Sequence, residues 1–176
     1  MTIQGYMAAS LDGYIADRDG GIGWLAPFDE VDAGYAGFIA GIDTVVMGRT
    51  TYDQVLLMGR ESGAGWFYEG KRALILTSRP LGDAPAGVSA WTDDVPRLIA
   101  HLRAREGNSW IVGGAALQAA FIEAGALDRL DLFIIPVLLG DGVPLFPKSD
   151  RPPRSLALES SAALGKGMVH LAYRPG

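Results

Sequence analysis

The chain has 176 residues, of which 49% are hydrophobic and 20% are charged, so it can bury a core and is not of the disordered class. A net charge of −5 disfavours nucleic acid and anionic membranes as partners, and the absence of cysteine excludes disulfides, thiolate catalysis and zinc–thiolate sites. His101 and His170 are far apart in sequence, so no metal site is predicted. The first charged residue is Asp12 and no apolar run is long enough to span a bilayer, so we expect a cytoplasmic protein without a membrane segment.

The first half of the chain predicts strands that alternate with helices. Ile3 to Ala9 is an apolar strand, and Asp29 to Ala40 carries apolar residues near helical spacing. A short buried strand, Thr44 to Met47, is followed by a predicted helix from about Thr50 to Leu57. Another buried strand, Ala73 to Thr77, completes this half.

The second half continues the alternation and ends in two neighbouring strands. Asp93 or Asp94 is the predicted N-cap of the next helix, and a further helix runs from Ala115 to Ala124. Gly165-Lys166-Gly167 predicts a hairpin turn between the last two strands. The predicted strands of this half are Val88 to Trp91, Trp110 to Val112, Leu130 to Val137, Leu156 to Ala163 and Met168 to Tyr173.

Continuous apolar strands between helices predict a sheet that is covered on both faces. We therefore expect an α/β fold of three layers, α-β-α, whose mixed sheet ends in a C-terminal antiparallel hairpin. No linker rich in proline or serine divides the sequence, so residues 1–176 are predicted to form a single domain. The glycine-rich stretch from Gly59 to Gly70 is a predicted mobile loop beside the site.

One arrangement occurs three times: a buried strand ends, small or hydroxyl residues follow, and a helix or a basic residue comes next. The three segments are VVMGRTTY (Val45 to Tyr52), LILTSRP (Leu74 to Pro80) and WIVGGAALQAAF (Trp110 to Phe121). Ligands of α/β sheets bind beyond the carboxyl ends of strands, where helix N-termini offer free N–H groups to phosphate. Arg49 and Arg79 would add planar cations there. Together the segments predict a site for an extended, multiply phosphorylated cofactor such as a dinucleotide.

Each segment also has a purely structural interpretation when it is taken alone. Gly48 turns the chain and leaves Arg49 in solvent, and Gly113-Gly114 lets a helix pack close to a strand. Ser78-Arg79-Pro80 is an ordinary loop sequence. Only the joint pattern favours the dinucleotide.

Five motifs resemble, in order, those of the dihydrofolate-reductase-like superfamily. They are SLDGYIA (Ser10 to Ala16), MGRTTYD (Met47 to Asp53), LTSRP (Leu76 to Pro80), IVGGAAL (Ile111 to Leu117) and PVLLGDGVPLFP (Pro136 to Pro147). The opening SLDG and the ending PVLLGDG are more similar to the C-terminal reductase domain of the riboflavin biosynthesis protein RibD than to dihydrofolate reductase itself. The resemblance runs from Ile3 to about Pro147 and implies a dihydrofolate-reductase-like mixed sheet.

The same resemblance implies NADPH as hydride donor, a phosphate at the start of the helix after Gly48, and the adenosine 2′-phosphate on Ser78 and Arg79. The implied cofactor-binding residues are Gly48, Arg49, Thr50, Thr77, Ser78, Arg79, Gly113, Gly114, Ala115 and Ala116. A loop on the substrate side would close over the nicotinamide, and its implied residues are Gly21, Ile22 and Trp24.

Asp32 is the candidate catalytic acid. In dihydrofolate reductase a lone carboxylate on the first helix hydrogen-bonds the pterin and assists its protonation, and Asp32 lies on the corresponding predicted helix. A partly buried carboxylate with a raised pKa suits that role. Asp29 and Glu30 are nearby competitors, and an acid near a helix N-terminus also has a purely structural explanation in the helix dipole.

The activity implied by the resemblance is that of 5-amino-6-(5-phosphoribosylamino)uracil reductase, an NADPH-dependent reductase that transfers hydride to a small heterocyclic substrate. Dihydrofolate reductase is one alternative, and a non-catalytic NADPH-binding protein of the same fold is another. A flavin-binding oxidoreductase is a third. The H-x-E and P-C-x-x-C motifs of the deaminase that accompanies bifunctional riboflavin proteins do not occur in this sequence.

A homodimer is expected from the segment Leu130 to Leu139, which is apolar on both faces for an unusual length. Pro136 removes one donor of the strand ladder, which predicts an interrupted strand or one near a sheet edge. The resemblance to the riboflavin-pathway reductases also implies a dimer. The alternative is that the C-terminal hairpin covers this strand within one chain.

Overall fold

The computed structural model describes residues 1–150 and 152–175 and contains one large sheet with helices on both faces. The strands are β1 (Ile3–Ser10), β2 (Tyr14–Ala16), β3 (Thr44–Gly48), β4 (Arg72–Leu76), β5 (Val88–Trp91), β6 (Ser109–Gly113), β7 (Arg129–Ile135), β8 (Val143–Pro144), β9 (Leu156–Ala163) and β10 (Val169–Pro175). The α-helices are α1 (Tyr35–Ala40), α2 (Arg49–Ser62), α3 (Val95–Arg103) and α4 (Ala115–Glu123). Short 3₁₀ helices occupy Gly23–Phe28 and Gly165–Gly167.

The large sheet has the strand order β5-β4-β3-β6-β1-β7-β10-β9. The six strands from β5 to β7 in this order are parallel to one another, whereas β10 is antiparallel to both β7 and β9. β2 and β8 pair separately as a small antiparallel ribbon. The mixed sheet and its C-terminal hairpin, which turns at Gly165–Gly167, therefore confirm the prediction.

Adjacent residues along each central strand pack on opposite faces, which produces two core layers. Val46 lies in the layer with α3 and α4, and its neighbours Val45 and Met47 lie in the layer with α2. Phe38 and Ile39 of α1 pack on this second layer as well. Asp94 is the N-cap of α3, where its carboxylate accepts the N–H of Arg97 at 2.9 Å. The predicted three-layer arrangement is confirmed.

The prediction of a helix from Asp29 to Ala40 is wrong in its first half. Gly34 has φ of 74°, a left-handed conformation, and the regular helix α1 begins only after it. The carboxylate of Asp32 accepts the N–H of Gly34 at 2.8 Å, so this side chain stabilises a turn in place of a helix.

The helix after Gly48 is longer than predicted, because α2 continues through Gly59 to Ser62. The chain then folds back on the helix, and the N–H of Gly65 donates to the carbonyl of Gly59 at 3.0 Å. Trp66 and Tyr68 follow and pack in the core layer under α2. The first four residues of the predicted mobile loop are therefore helical.

The strand β7 is not an edge strand. It ends at Ile135, directly before Pro136, and pairs with β1 on one side and β10 on the other. The strand is therefore interrupted at Pro136, as predicted, and the hairpin covers it within one chain, which is the alternative that the sequence left open. The edge strands of the sheet are β5 and β9, and the residues of β9 after Leu156 are exposed.

Asp12 joins the loop after β1 to the loop after β7. Its carboxylate accepts the N–H groups of Leu139 and Gly140, at 3.1 and 2.7 Å, and the hydroxyl of Ser10 donates to it at 2.6 Å. The hydrogen bond from Ser10, followed by those from the backbone, lowers the pKa of Asp12 despite the opposing effect of burial. The first and last motifs of the family resemblance thus meet in space.

Within residues 1–150 and 152–175, no helix combines the length and apolar character needed to cross a membrane. The same residues bring together no group of three or more histidine, aspartate and glutamate side chains that would hold a metal ion.

Candidate functional site

Three strand ends that the sequence singled out meet at one edge of the sheet. β3, β4 and β6 are parallel neighbours, and in their register Gly48 pairs with Leu76 and Met47 pairs with Gly113. Because the carboxyl ends of parallel strands lie on the same edge, the residues that follow each strand are brought together. The structure therefore gathers the segments 48–50, 77–79 and 113–116.

Two helices begin at this edge without a side-chain cap. Gly48 is the N-cap of α2 and Gly114 is the N-cap of α4, and no side chain accepts from the first N–H groups of either helix. A Cβ on Gly48 would lie 4.0 Å from the backbone nitrogen of Gly114, so the two helix starts are close neighbours. The Gly113-Gly114 peptide bond is cis. The free N–H groups and positive dipole ends of both helices make this edge suited to anionic groups.

Arg49, the first residue of α2, already has partners. Its Nε contacts the carboxylate of Asp53 at 2.8 Å, and its Nη1 donates to the carbonyl of Pro80 at 2.9 Å. The side chain therefore fixes α2 to the loop after β4. Thr50 and Ala116 lie in the first turns of α2 and α4 and are exposed, whereas Ala115 is buried.

The loop after β4 presents a cation to solvent. Thr77 is buried, and its hydroxyl accepts the N–H of Arg79 at 3.0 Å, which shapes the turn. Ser78 and Arg79 are exposed. Within the described part of the chain, the guanidinium of Arg79 forms no ion pair, so it is available to an anionic ligand.

The loop predicted on the substrate side is only partly a loop. Gly21 donates its N–H to the carboxylate of Asp17 at 2.7 Å, whereas Trp24 lies within the 3₁₀ helix Gly23–Phe28 and packs in a core cluster with β7 residues. Ile22 is exposed beside it. The amide of Gln54 on α2 donates to the carbonyl of Gly20 at 2.7 Å and holds this segment against the helix.

Asp32, the predicted catalytic acid, lies before α1 and is exposed. The expectation of a partly buried carboxylate on a helix is therefore wrong, and a catalytic role for Asp32 stays a prediction. Its neighbour Ala33 accepts the hydroxyl of Tyr6 at 2.8 Å, which places the Asp32 segment against the central strand β1.

A buried carboxylate that the sequence analysis missed lies on the same face of the sheet. Asp131 of β7 has a side chain only 8% exposed, and it contacts Nε of Arg129 at 2.6 Å and Nε2 of His170 at 2.7 Å. Burial, and then the charge of Asp131, raises the pKa of Tyr6. The available signal was a single aspartate inside an otherwise apolar strand, LDLFII.

Aromatic rings fill the space between α1 and the sheet. The ring of Tyr6 lies 4.4 Å from that of Phe38 and 5.8 Å from that of Tyr35, and Trp110 lies 5.2 Å from Phe38. Tyr35 is 42% exposed, so the cluster reaches the surface. Such a set of rings is suited to stacking on a flat heterocycle. Sequence periodicity indicated only core positions for Tyr35 and Phe38.

The sequence is similar to one described family and to two bacterial proteins. The model of the RibD C-terminal domain matches residues 75–170. The Bacillus subtilis (strain 168) "Uncharacterized protein YwjB" is 38% identical over 170 residues, which cover 96% of this chain and 94% of the relative. "Uncharacterized protein YyaP" of the same organism is 27% identical over 175 residues, covering 95% and 91%.

Solved structures share the fold. A putative riboflavin biosynthesis protein from Shewanella sp. PV-4 superposes with a TM-score of 0.85 at 28% identity, covering 99% of this chain and 98% of that one. A dihydrofolate reductase from Enterococcus faecalis, complexed with NADP(H) and RAB-propyl, gives 0.67 at 21%, covering 98% and 95%. The Thermotoga maritima deaminase/5-amino-6-(5-phosphoribosylamino)uracil reductase gives 0.74 at 18%, and this chain covers 56% of it. The last two show a common fold.

Proposed function

Because the chain belongs to the RibD C-terminal domain family, we propose that it is an NADPH-dependent reductase. The observation that carries the proposal is the meeting of two uncapped helix N-termini and a free arginine at one sheet edge. That edge offers N–H groups for a pyrophosphate and a cation for a further phosphate. It therefore suits a multiply phosphorylated dinucleotide.

The residues of this edge fit the cofactor. Glycine at 48 and 114 leaves the backbone of both helix starts free of side chains, so that phosphate oxygens can approach the N–H groups closely. Ser78 and Arg79 would hold the 2′-phosphate, and the segment 113–116 would line the pyrophosphate and the nicotinamide. When bound, NADPH supplies the hydride.

The substrate is proposed to be a small heterocycle that lies on the α1 side of the sheet. The exposed ring of Tyr35 and the cluster behind it favour a flat, unsaturated ring. The chain's part in the reaction is to align donor and acceptor carbons at about 3–3.5 Å and to exclude water. The proposed reaction is of the kind that 5-amino-6-(5-phosphoribosylamino)uracil reductase carries out.

The test is a turnover assay on the purified protein, in which loss of NADPH absorbance is followed with 5-amino-6-(5-phosphoribosylamino)uracil and with dihydrofolate. Turnover of the first supports the proposal, whereas turnover of dihydrofolate alone would favour dihydrofolate reductase. NADPH binding without oxidation of either would favour the non-catalytic alternative. A yellow purified protein would instead indicate a bound flavin.

Asp32→Asn is expected to lower turnover at neutral pH and to leave NADPH affinity unchanged. Asp32 lies beside the aromatic cluster and has only one carboxylate oxygen engaged, by Gly34. Asp131 is held by Arg129 and His170, so Asp131→Asn is the matched control and should mainly lower stability. If Asp32→Asn had the turnover rate and pH profile of the wild type, Asp32 would have a structural role and no catalytic one.

The protein is also proposed to be a homodimer, now through β9 and not β7. An open edge strand exposes unpaired backbone groups, and pairing two such edges about a twofold axis satisfies them. Light scattering at micromolar concentration should give twice the mass of the chain. Leu158→Lys places a charge on the exposed strand β9 and should shift the measured mass toward that of the monomer. A monomeric wild-type protein would exclude the dimer.

A further inference from the structure

A cleft lies on the face of the sheet opposite to α2. It is formed between the helix α3 and the strands β3, β4 and β5. It encloses about 340 Å³ and is open to solvent. Its walls come from three adjacent strands and from the end of α3 with the residues beyond it. The lining residues are Thr44, Arg72, Leu74, Ser89, Ala90, Trp91, His101 and Arg105.

The cleft is positively charged, whereas the protein as a whole carries a negative net charge. Arg72 and Arg105 both line it, and no lining residue is acidic, although the chain as a whole carries a net charge of −5. Among the described residues neither guanidinium has an ion-pair or hydrogen-bond partner. Two uncompensated cations at one concave place attract an anion.

The hydroxyl of a largely buried threonine also lines the cleft. Thr44 is only 4% exposed, and in the described part of the chain its hydroxyl has no hydrogen-bond partner. Thr44 and Arg72 are the first residues of β3 and β4 and pair directly in the register of these strands. The Thr44 hydroxyl and the Arg72 guanidinium are therefore hydrogen-bond donors on neighbouring residues of adjacent strands. A hydroxyl in the wall of a cleft can donate a hydrogen bond to a bound oxygen.

The wall toward the outer edge is aromatic. The ring of Trp91 lies 5.0 Å from that of His101, and its Nε1 donates to the carbonyl of Asp94 at 3.3 Å, which fixes the indole. The cleft therefore combines cationic and hydroxyl donors at one end with a flat apolar surface at the other. Its volume is that of small-molecule sites.

We propose that this cleft binds a small aromatic phosphate monoester, with the phosphate on Arg72, Arg105 and Thr44 and the ring against Trp91. The cationic end of the site is separate from the candidate cofactor site, and Trp91, which lies level with Gly48 in the register of the strands, packs on the face of the sheet that α3 covers. Thr44 and Gly48 are at opposite ends of β3, about 13 Å apart along the strand. α3 and α2 also lie on opposite faces of the sheet. The inference does not depend on the reductase proposal.

The experiment uses the full chain and phenyl phosphate as the probe, with binding followed by calorimetry and by tryptophan fluorescence. Saturable binding that weakens as salt is added is expected, because the contact is charged and partly open to solvent. Arg72→Gln should weaken it about tenfold or more, and Thr44→Val about threefold or more. Inorganic phosphate, which lacks the ring, should bind more weakly than phenyl phosphate.

Two control variants separate this cleft from the rest of the surface. Arg97→Gln makes the same change of charge on α3, but Arg97 is paired with Asp93 and does not line the cleft. Arg174→Gln removes an exposed arginine that is paired with Glu159 on β9 and does not line the cleft. Both should bind phenyl phosphate as the wild type does. Wild-type affinity in Arg72→Gln, an equal loss in either control, or no saturable binding would overturn the proposal, and circular dichroism verifies that each variant is folded.

Discussion

Replacing Arg79 by alanine is expected to weaken NADPH binding by about tenfold or more and to leave NADH binding nearly unchanged. The side chain is exposed at the candidate cofactor edge, and in the described part of the chain its guanidinium has no ion-pair partner. Only NADPH carries the 2′-phosphate that it would contact. Titration of both cofactors against wild type and variant, by calorimetry at one salt concentration, measures the difference.

The matched control for this experiment is Arg97→Ala, which removes an exposed arginine that is paired with Asp93 on α3. It should leave the affinity for both cofactors at the wild-type value. Equal losses of NADPH and NADH binding in Arg79→Ala would mean that Arg79 does not distinguish them, and the assignment of the 2′-phosphate to this loop would then be wrong.

Gly59→Ala is expected to lower the free energy of unfolding by about 2–3 kcal/mol. Gly59 is buried in α2, and a Cβ there would lie 1.9 Å from the carbonyl oxygen of Gly65, which is backbone and cannot turn aside. Relief requires the chain after α2 to move away, which would disturb Trp66 and Tyr68 in the core. Denaturant unfolding followed by circular dichroism measures the change.

Gly37→Ala is the contrasting variant in this test. Gly37 is an exposed residue within α1, and a Cβ there would meet no atom within 4 Å. Alanine is the better helix former, so this change should raise stability by about 0.5–1 kcal/mol. A similar loss in both variants would mean that the contact between Gly59 and Gly65 is not what requires glycine.

The geometry of the candidate cofactor edge was predictable because it depends on order along the chain and on a general property of parallel sheets. Gly48, Thr77 and Gly113 each follow an apolar strand, and parallel strands bring such residues to one edge whatever the sequence distance between them. Taken alone, each motif could have been an ordinary turn or part of a shared site. In the structure the three motifs lie at one edge of the sheet, so they form a single arrangement.

The errors have local causes that periodicity does not register. Apolar spacing around Tyr35 extended the predicted helix back to Asp29, but the left-handed Gly34 and the hydrogen bond from its N–H to Asp32 end it earlier. Asp131 was missed because its partners, Arg129 and His170, include one that only the antiparallel hairpin brings near. The cleft beside α3 depends likewise on three strands and a helix that are separated in sequence.

Side-chain hydrogen bonds of α2 link two loops that are far apart in sequence. Arg49 fastens the loop after β4 through Pro80, and Gln54, just over one turn along the helix, fastens the segment before the 3₁₀ helix through Gly20. A helix of this length is stiff, so both loops are attached to the same rigid element. A displacement of α2 is expected to displace both loops. An insertion in either loop that broke its hydrogen bond to α2 would allow that loop to move independently of the other. The segments on the two sides of the candidate cofactor edge are therefore expected to move together.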